Sequence, residues 1–254
     1  MSDEGENSSA KSAIILAIIV VLVAAYCVEF GLQTLVWVET RHWASVNRWL
    51  LDVPQPLSPP TSEPKGTQLK AFNYEFLVPW RGNAKLTPSL AYVEFRFESG
   101  PVIVFFDPEA QLDTMRALKS SNPTDYRNIQ EVLSGTSIDS NYALYQAIYS
   151  ASPVQLSPFM PSRDAMRISI LLLWKLSFGF DLESRISSFD FGKNRGFQFG
   201  DPANGGPVAL RVFDDRNHQY RFIFIVAAGS SAKITQDDIN SAIQSVRPVP
   251  ILER

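Results

Sequence analysis

Residues Ala13 to Val28, AIILAIIVVLVAAYCV, carry no charge and almost no polar atom. No other stretch constrains the chain as much. At about 1.5 Å per helical residue, this run and the Phe-Gly-Leu after Glu29 come close to the roughly 30 Å of a hydrocarbon core. The run predicts a transmembrane helix at one end and one folded domain beyond it. A cleaved leader fits less well: its basic n-region would be MSDEGENSSAK, with one Lys and three acidic residues. Tyr26 is too bulky to precede a lipidated cysteine at Cys27. Apolar character also resumes after Glu29, in FGLQTLVWV, where a mature domain would begin polar.

Orientation rests on two opposed signals. Lys11 precedes the run and Arg41 and Arg48 follow it, which by charge count holds the domain inside. Beyond Cys27 the chain has no cysteine, which suits an oxidising compartment. The expectation is a single-pass protein of the cell membrane, as in a bacterial inner membrane, with its C-terminal domain outside the cytoplasm. Trp37, Trp43 and Trp49 stand among Arg41, His42 and Arg48, a mixture that favours a membrane–water interface.

The expected divisions are a tail at 1–11, a transmembrane helix with its juxtamembrane extension at 12–51, a Pro-rich linker at 52–66 and an α+β domain at 67–254. The linker holds Pro54, Pro56, Pro59, Pro60 and Pro64, whose fixed φ angles and missing N–H groups predict an extended, semi-stiff spacer.

Within the domain, strands are read from alternation. In FNYEFLV, Phe72, Tyr74, Phe76 and Val78 share a face; in AYVEFRFE, Val93, Phe95 and Phe97 alternate with Glu94, Arg96 and Glu98. Ser99-Gly100-Pro101 turns into the apolar run VIVFF. EAQLDTMRALK then reads as a helix. The C-terminal part follows the same order: GFQFGDP, PVALRVFDD, a polar turn at 215–218, YRFIFIVAA, and a helix in TQDDINSAIQSV. There Thr235 and Asp238 form a capping-box pattern ahead of the face Ile239, Ala242, Ile243 and Val246. Tyr74-Glu75-Phe76 and Phe197-Gln198-Phe199 stand at the same offset before Pro79 and Pro202. The predicted fold is therefore a mainly antiparallel sheet built as a βββα pseudo-repeat, with a helical insert between the halves. Insert helices are expected over Pro123–Leu133 behind Asn122, from Ser137 to about Ala151, and from Ser162 through ISILLLWKLSF, the last apolar nearly all round and so buried.

The strand Phe72-Asn73-Tyr74-Glu75-Phe76-Leu77-Val78-Pro79-Trp80 and the closing helix Ile239–Arg247 after a strand pair resemble the PsbP-like and DcrB-like α/β sandwiches. That resemblance covers under a third of the domain and implies an accessory protein without catalytic residues; it carries no site onto this chain.

Much chemistry is excluded by absence. There are two histidines and one cysteine, and only His218 of the three lies in the domain. Ser-His-Asp catalysis would have only that imidazole, and four-ligand Cys/His zinc sites are impossible within one chain. No G-x-G-x-x-G, Walker loop or H-E-x-x-H occurs. Net charge −3 and the lack of a basic run argue against nucleic acid. The candidate ligand-binding cluster is Asp214, Asp215 and His218, with Asn217: hard oxygens and an imidazole, or simply a polar β-turn. Ser230 to Lys233 matches S-x-x-K, but so do Ser8 to Lys11 on the tail, so the pattern has no weight. Tyr142, Tyr145 and Tyr149 share a helix face, read as buried rather than as a stacking surface. Glu75, Glu94, Arg96 and Glu98 are paired-carboxylate candidates if they share a cleft, or the wet face of a sheet if not.

No catalytic residue, metal or cofactor is assigned. The expected function is a membrane-tethered, non-catalytic binding or assembly domain whose partner is another protein. The alternative is a membrane-anchored hydrolase or lyase working through carboxylates such as Asp214, Asp215 or Glu94.

Overall fold

Period-two alternation of aromatic with polar residues forces one face of a sheet inward, and two such faces organise this domain. A computed structural model describes residues 19–21, 30–31, 33–61, 65–108, 131, 138–178 and 185–249. The strands are β1 (Gln55–Pro56), β2 (Thr67–Ala71), β3 (Tyr74–Val78), β4 (Ala84–Pro88), β5 (Tyr92–Phe97), β6 (Pro101–Phe106), β7 (Ile186–Asp190), β8 (Arg195–Phe199), β9 (Val208–Phe213), β10 (Gln219–Val226) and β11 (Arg247–Pro248). The helices are α1 (33–46), α2 (Asn141–Ser150), α3 (Ser162–Phe178) and α4 (Gln236–Ser245).

Eight strands form one sheet in the order β1-β7-β8-β9-β10-β6-β5-β4; β11-β3-β2 form a second. Every pairing is antiparallel except that of β1 with β7. The domain is α+β with a mostly antiparallel sheet. The apolar strands β6 and β10 pair at its centre, Ile103 opposite Phe224 and Phe105 opposite Phe222.

One face of the large sheet packs under the small sheet and α4. Phe76 of β3 meets Phe95, Phe105 and Phe222 edge-on, and Phe105 stacks on Phe222 at 4.6 Å. Helix α4 starts at a capping box: Thr235 Oγ1 accepts from the Asp238 amide and Asp238 Oδ2 accepts from the Thr235 amide. Its Ile239, Ala242 and Ile243 are at most 1% exposed, and each buried isoleucine contributes about 2–3 kcal/mol. The opposite face, over β7 to β9, is covered by α2 and α3.

Helix α3 buries Ala165, Ile168, Leu171 and Leu172 but leaves the apolar Met166 and Leu173 half exposed, so it is buried on one face and not all round. Its fully buried face ends in a charge. Lys175 Nζ donates to the carbonyls of Leu50 (3.3 Å), Asp52 (2.6 Å) and Ala151 (2.8 Å). Three acceptors match the three N–H bonds of an ammonium, which is what makes its burial tolerable. Burial still pushes Lys175 down to about 8, against a smaller upward pull from Asp52.

Several expectations are corrected. Among the described residues no helix is long and apolar enough to cross a membrane. That contradicts the expected transmembrane helix at 12–51 and the single-pass placement in the cell membrane, domain outside the cytoplasm, that rested on it. Of the apolar run, 13–18 and 22–28 lie outside the described residues. The part taken as a juxtamembrane extension folds onto the domain instead: α1 buries Gln33, Thr40 and Ala44 on one face, and Gln33 Nε2 donates to Ser162 Oγ. A 3₁₀ turn (Arg48–Leu51) follows, with Leu50 fully buried.

The pseudo-repeat is corrected too. Tyr74–Val78 belongs to the small sheet and Arg195–Phe199 to the large one, so the segments before Pro79 and Pro202 are not equivalent. The large sheet instead joins two meanders, β4-β5-β6 and β8-β9-β10, through their last strands. Phe72 is not in a strand: it and Asn73 take φ of 49° and 61°, making a two-residue hairpin turn of the type that follows strand twist. Helix α2 begins at Asn141 behind Ser140, whose Oγ accepts from the Ala143 amide, rather than at Ser137. The helices expected at 109–119 and 123–133 fall, apart from Glu131, outside the described residues.

The described part of the proline-rich stretch, 52–61, lies along the domain. Gln55 and Pro56 pair with Ser187 and Ser188, the Leu57 amide donates to Ser188 O, and Asn240 Nδ2 donates to Ser58 O.

Candidate functional site

The expected cluster Asp214, Asp215, Asn217 and His218 is the β9–β10 turn. Asp214 is 6% exposed because its carboxylate is the turn's internal cap. Its Oδ1 accepts from the amides of Arg216 (2.9 Å) and His218 (2.8 Å), while Oδ2 sits 2.9 Å from His218 Nδ1. Asn217, at φ 63°, closes the bend, and its Oδ1 accepts from the Tyr142 amide at the start of α2. Asp215 points into solvent. The carboxylate of Asp214 is thus occupied by its own backbone. Among the described residues no group of three or more His, Cys, Asp or Glu side chains is placed to hold a metal ion.

The carboxylates proposed as partners do not meet. Glu94 pairs with Arg96 at 2.8 Å on the outer face of β5. Glu75, in the small sheet, is buried and bound by Arg247 Nε at 2.7 Å, Gln68 Nε2 at 2.6 Å and Lys70 at 3.4 Å. The Arg247 hydrogen bond, with help from Lys70, holds the Glu75 carboxyl below its ordinary value in spite of burial. It lines a hollow of about 470 Å³ with Lys193, Gln244 and Arg247, without a second acid.

The tyrosine face of α2 is buried. Tyr145 and Tyr149 are 3% and 0% exposed, and Tyr142 stacks on Phe197 at 5.6 Å. Arginines from neighbouring strands lie under the rings, Arg195 4.2 Å from the centre of Tyr142 and Arg211 3.8 Å from that of Tyr145. Burial pushes the Tyr149 phenol up to about 12. Arg221, across the ladder from Arg211, is pushed down to about 10 by burial and by that like charge.

A cleft that sequence reasoning did not find lies where the β8–β9 connection, the end of β10 and the start of α4 converge. Its volume is about 710 Å³. Val208, Phe224, Val226 and Ile234 make an apolar floor; Ser230, Ser231, Lys233, Thr235 and Gln236 form most of the rim. Asp201 is its one acid, and Asp201 Oδ1 accepts from the Ala203 amide. Ser230 of the S-x-x-K pattern is in the wall, but its hydroxyl donates to Ser99 O and accepts from the Ala232 amide. It is a turn-forming serine, with both of these bonds made to backbone groups.

The wall is stiffened behind the rim. Gln236 exchanges amide hydrogen bonds with buried Gln198 of β8 and donates to Asn240 Oδ1. The lining comes from three separated segments with no motif among them, so no local signal marked it. Its chemistry is that of recognition: an apolar floor with a few hydroxyl, amide and ammonium groups at the edge.

Comparison of the chain with family models, with curated proteins and with solved structures finds no match.

Proposed function

We propose that this domain is a non-catalytic binding or assembly module acting on another protein, with the cleft between the β8–β9 connection and α4 as its docking place. One observation carries the reading: Asp214, Glu94 and Glu75 lie on separate elements and each is engaged, Asp215 stands exposed on the β9–β10 turn, and the apolar cleft holds a single, capped acid. General acid–base work on a bond needs two groups converging on one reacting centre. A cleft floored by Phe224 and Val226 suits an apolar side chain of a partner, with Ser231 and Lys233 free at the rim to orient it. The resemblance to accessory sandwich proteins supports the same reading.

A photo-crosslinking residue placed at Ser231, in intact cells, is expected to capture a discrete protein adduct. The same residue at Gln146, exposed on α2 over the opposite face of the large sheet, is not. Adducts of equal yield at both positions, or none at Ser231, would overturn the assignment of the cleft.

A further inference from the structure

The two edges of the large sheet are treated differently. At the β7 edge the chain lays its own proline-bearing β1 over the last strand. At the other edge β4 pairs only with β5 among the described residues, and its five residues are all at least partly exposed. Apolar side chains stand beside it: Leu86 is 50% exposed, Leu90 99% and Tyr92 38%.

The polarity of this edge can be worked out. The Ser89 amide donates to Tyr92 O, so Ser89, and by alternation Thr87 and Lys85, turn their backbone groups toward β5. Ala84, Leu86 and Pro88 therefore face outward, and proline sits where its missing N–H costs the ladder nothing. The outward pattern is two N–H groups and three carbonyls.

We infer that two copies of this chain pair antiparallel along β4, about a two-fold axis at Leu86, joining their eight-stranded sheets into one. In that register the two Leu86 residues exchange both hydrogen bonds, and each Ala84 N–H donates to Pro88 O of the second copy. Every outward N–H of β4 is used. The side chains agree: Lys85 falls opposite Thr87 of the second copy, so the row across the joint reads Glu94, Thr87, then Lys85 and Arg96 of the second copy, acid at one end and bases at the other. A two-fold at Lys85 would instead set two ammonium groups directly opposite, which is destabilising. The two Leu86 side chains lie together on the face that carries the core. Leu90 is brought toward Gly82 of the second copy, where a side chain has open space.

Sedimentation equilibrium on the full chain tests this. The wild type is expected to shift from one to two chain masses across micromolar concentrations, the range a short edge-to-edge contact supports. Leu86→Pro removes an outward N–H and the leucine side chain at the joint but no β4–β5 hydrogen bond, and Thr87→Lys places like charges across the joint; both are expected to stay at one chain mass with unchanged circular dichroism. If Leu86→Pro does not fold, Thr87→Lys decides. A wild type that is monomeric throughout, or a dimer that survives Thr87→Lys, overturns the proposal.

Discussion

Gln198 and Gln236 exchange their side-chain amides, each Nε2 donating to the other's Oε1, at 2.7 and 2.8 Å. This reciprocal pair bolts the first turn of α4 to the middle of β8, directly behind the rim of the cleft. Gln198 is 1% exposed, so its polar atoms have no access to bulk water. Replacing Gln198 by Leu should cost about 2 kcal/mol, because Gln236 loses two partners at once. The double change to leucine at both positions should cost less than the sum of the singles. Urea denaturation of the four proteins measures that coupling, and strict additivity would show that the pair does not act as a unit.

Lys175 predicts an unusual pH dependence. Its folded value, about 8, lies below its ordinary 10.5, so between those limits the unfolded chain binds more protons than the folded one. Stability should therefore rise, not fall, from pH 8 to 9.5, by about 2 kcal/mol at 1.36 kcal/mol per unit. Above pH 10 the buried phenols of Tyr149 and Tyr220, both raised by burial, reverse the slope. Denaturant midpoints in this window should climb in the wild type and stay level in Lys175→Met. A level wild-type curve would mean that the three carbonyl contacts hold the ammonium charged.

The same side chain fastens the Arg48–Leu51 turn to the end of α2. Lys175→Met leaves the carbonyls of Leu50, Asp52 and Ala151 without their donor, and near pH 7 should lower stability by about 2 kcal/mol. Limited proteolysis should then cut first near residues 50–53. Protection unchanged there would show that Leu50 packing alone retains the turn.

At the β9–β10 turn, Asp214→Ala removes the acceptor of two amides and should cost about 1–2 kcal/mol. Because Asp214 is already satisfied, Mg²⁺, Mn²⁺ or Zn²⁺ should leave the wild-type thermal midpoint where it is. A metal-dependent rise that Asp214→Ala abolishes would restore the cluster as a cation site.

Asn73→Gly should stabilise the β2–β3 hairpin by about 0.5–1 kcal/mol, since its φ of 61° is one that glycine adopts freely. Gly100→Ala should do the reverse and more strongly. Gly100 has φ of 111°, and a Cβ there would come 1.9 Å from Ser230 Oγ. Thermal melts of the two variants should move in opposite directions, and a shift in the same direction would remove the strain argument.

Legibility followed the locality of the signal. Strands β5, β6 and β10 and helix α4 were readable because their side chains alternate or recur against one face, and the Asp214 turn because Asp and Asn cap bends through bonds a few residues long. Strands β2 and β4 escaped notice: TQLKA and AKLTP lack apolar alternation and are strands only because β3 and β5 offer them a ladder. The fate of 33–51 was misread for a related reason. Its apolar spacing is equally satisfied by a lipid boundary or by α3, and only the contact of Gln33 with Ser162 and the burial of Leu50 distinguish the two.

The sequence by itself determined the α+β class, the aromatic faces of the central strands and the capped closing helix, since each is written in spacings of a few residues. It also determined how little histidine and cysteine chemistry is available. Tertiary structure alone decided that a lysine in an apolar helix becomes a buried fastener, that Glu75, Glu94 and Asp214 end up on separate elements, and that three separate segments enclose a cleft. Those outcomes depend on which groups tertiary packing brings together, more than a hundred residues apart for Lys175 with Leu50 and Asp52, and no local periodicity encodes that.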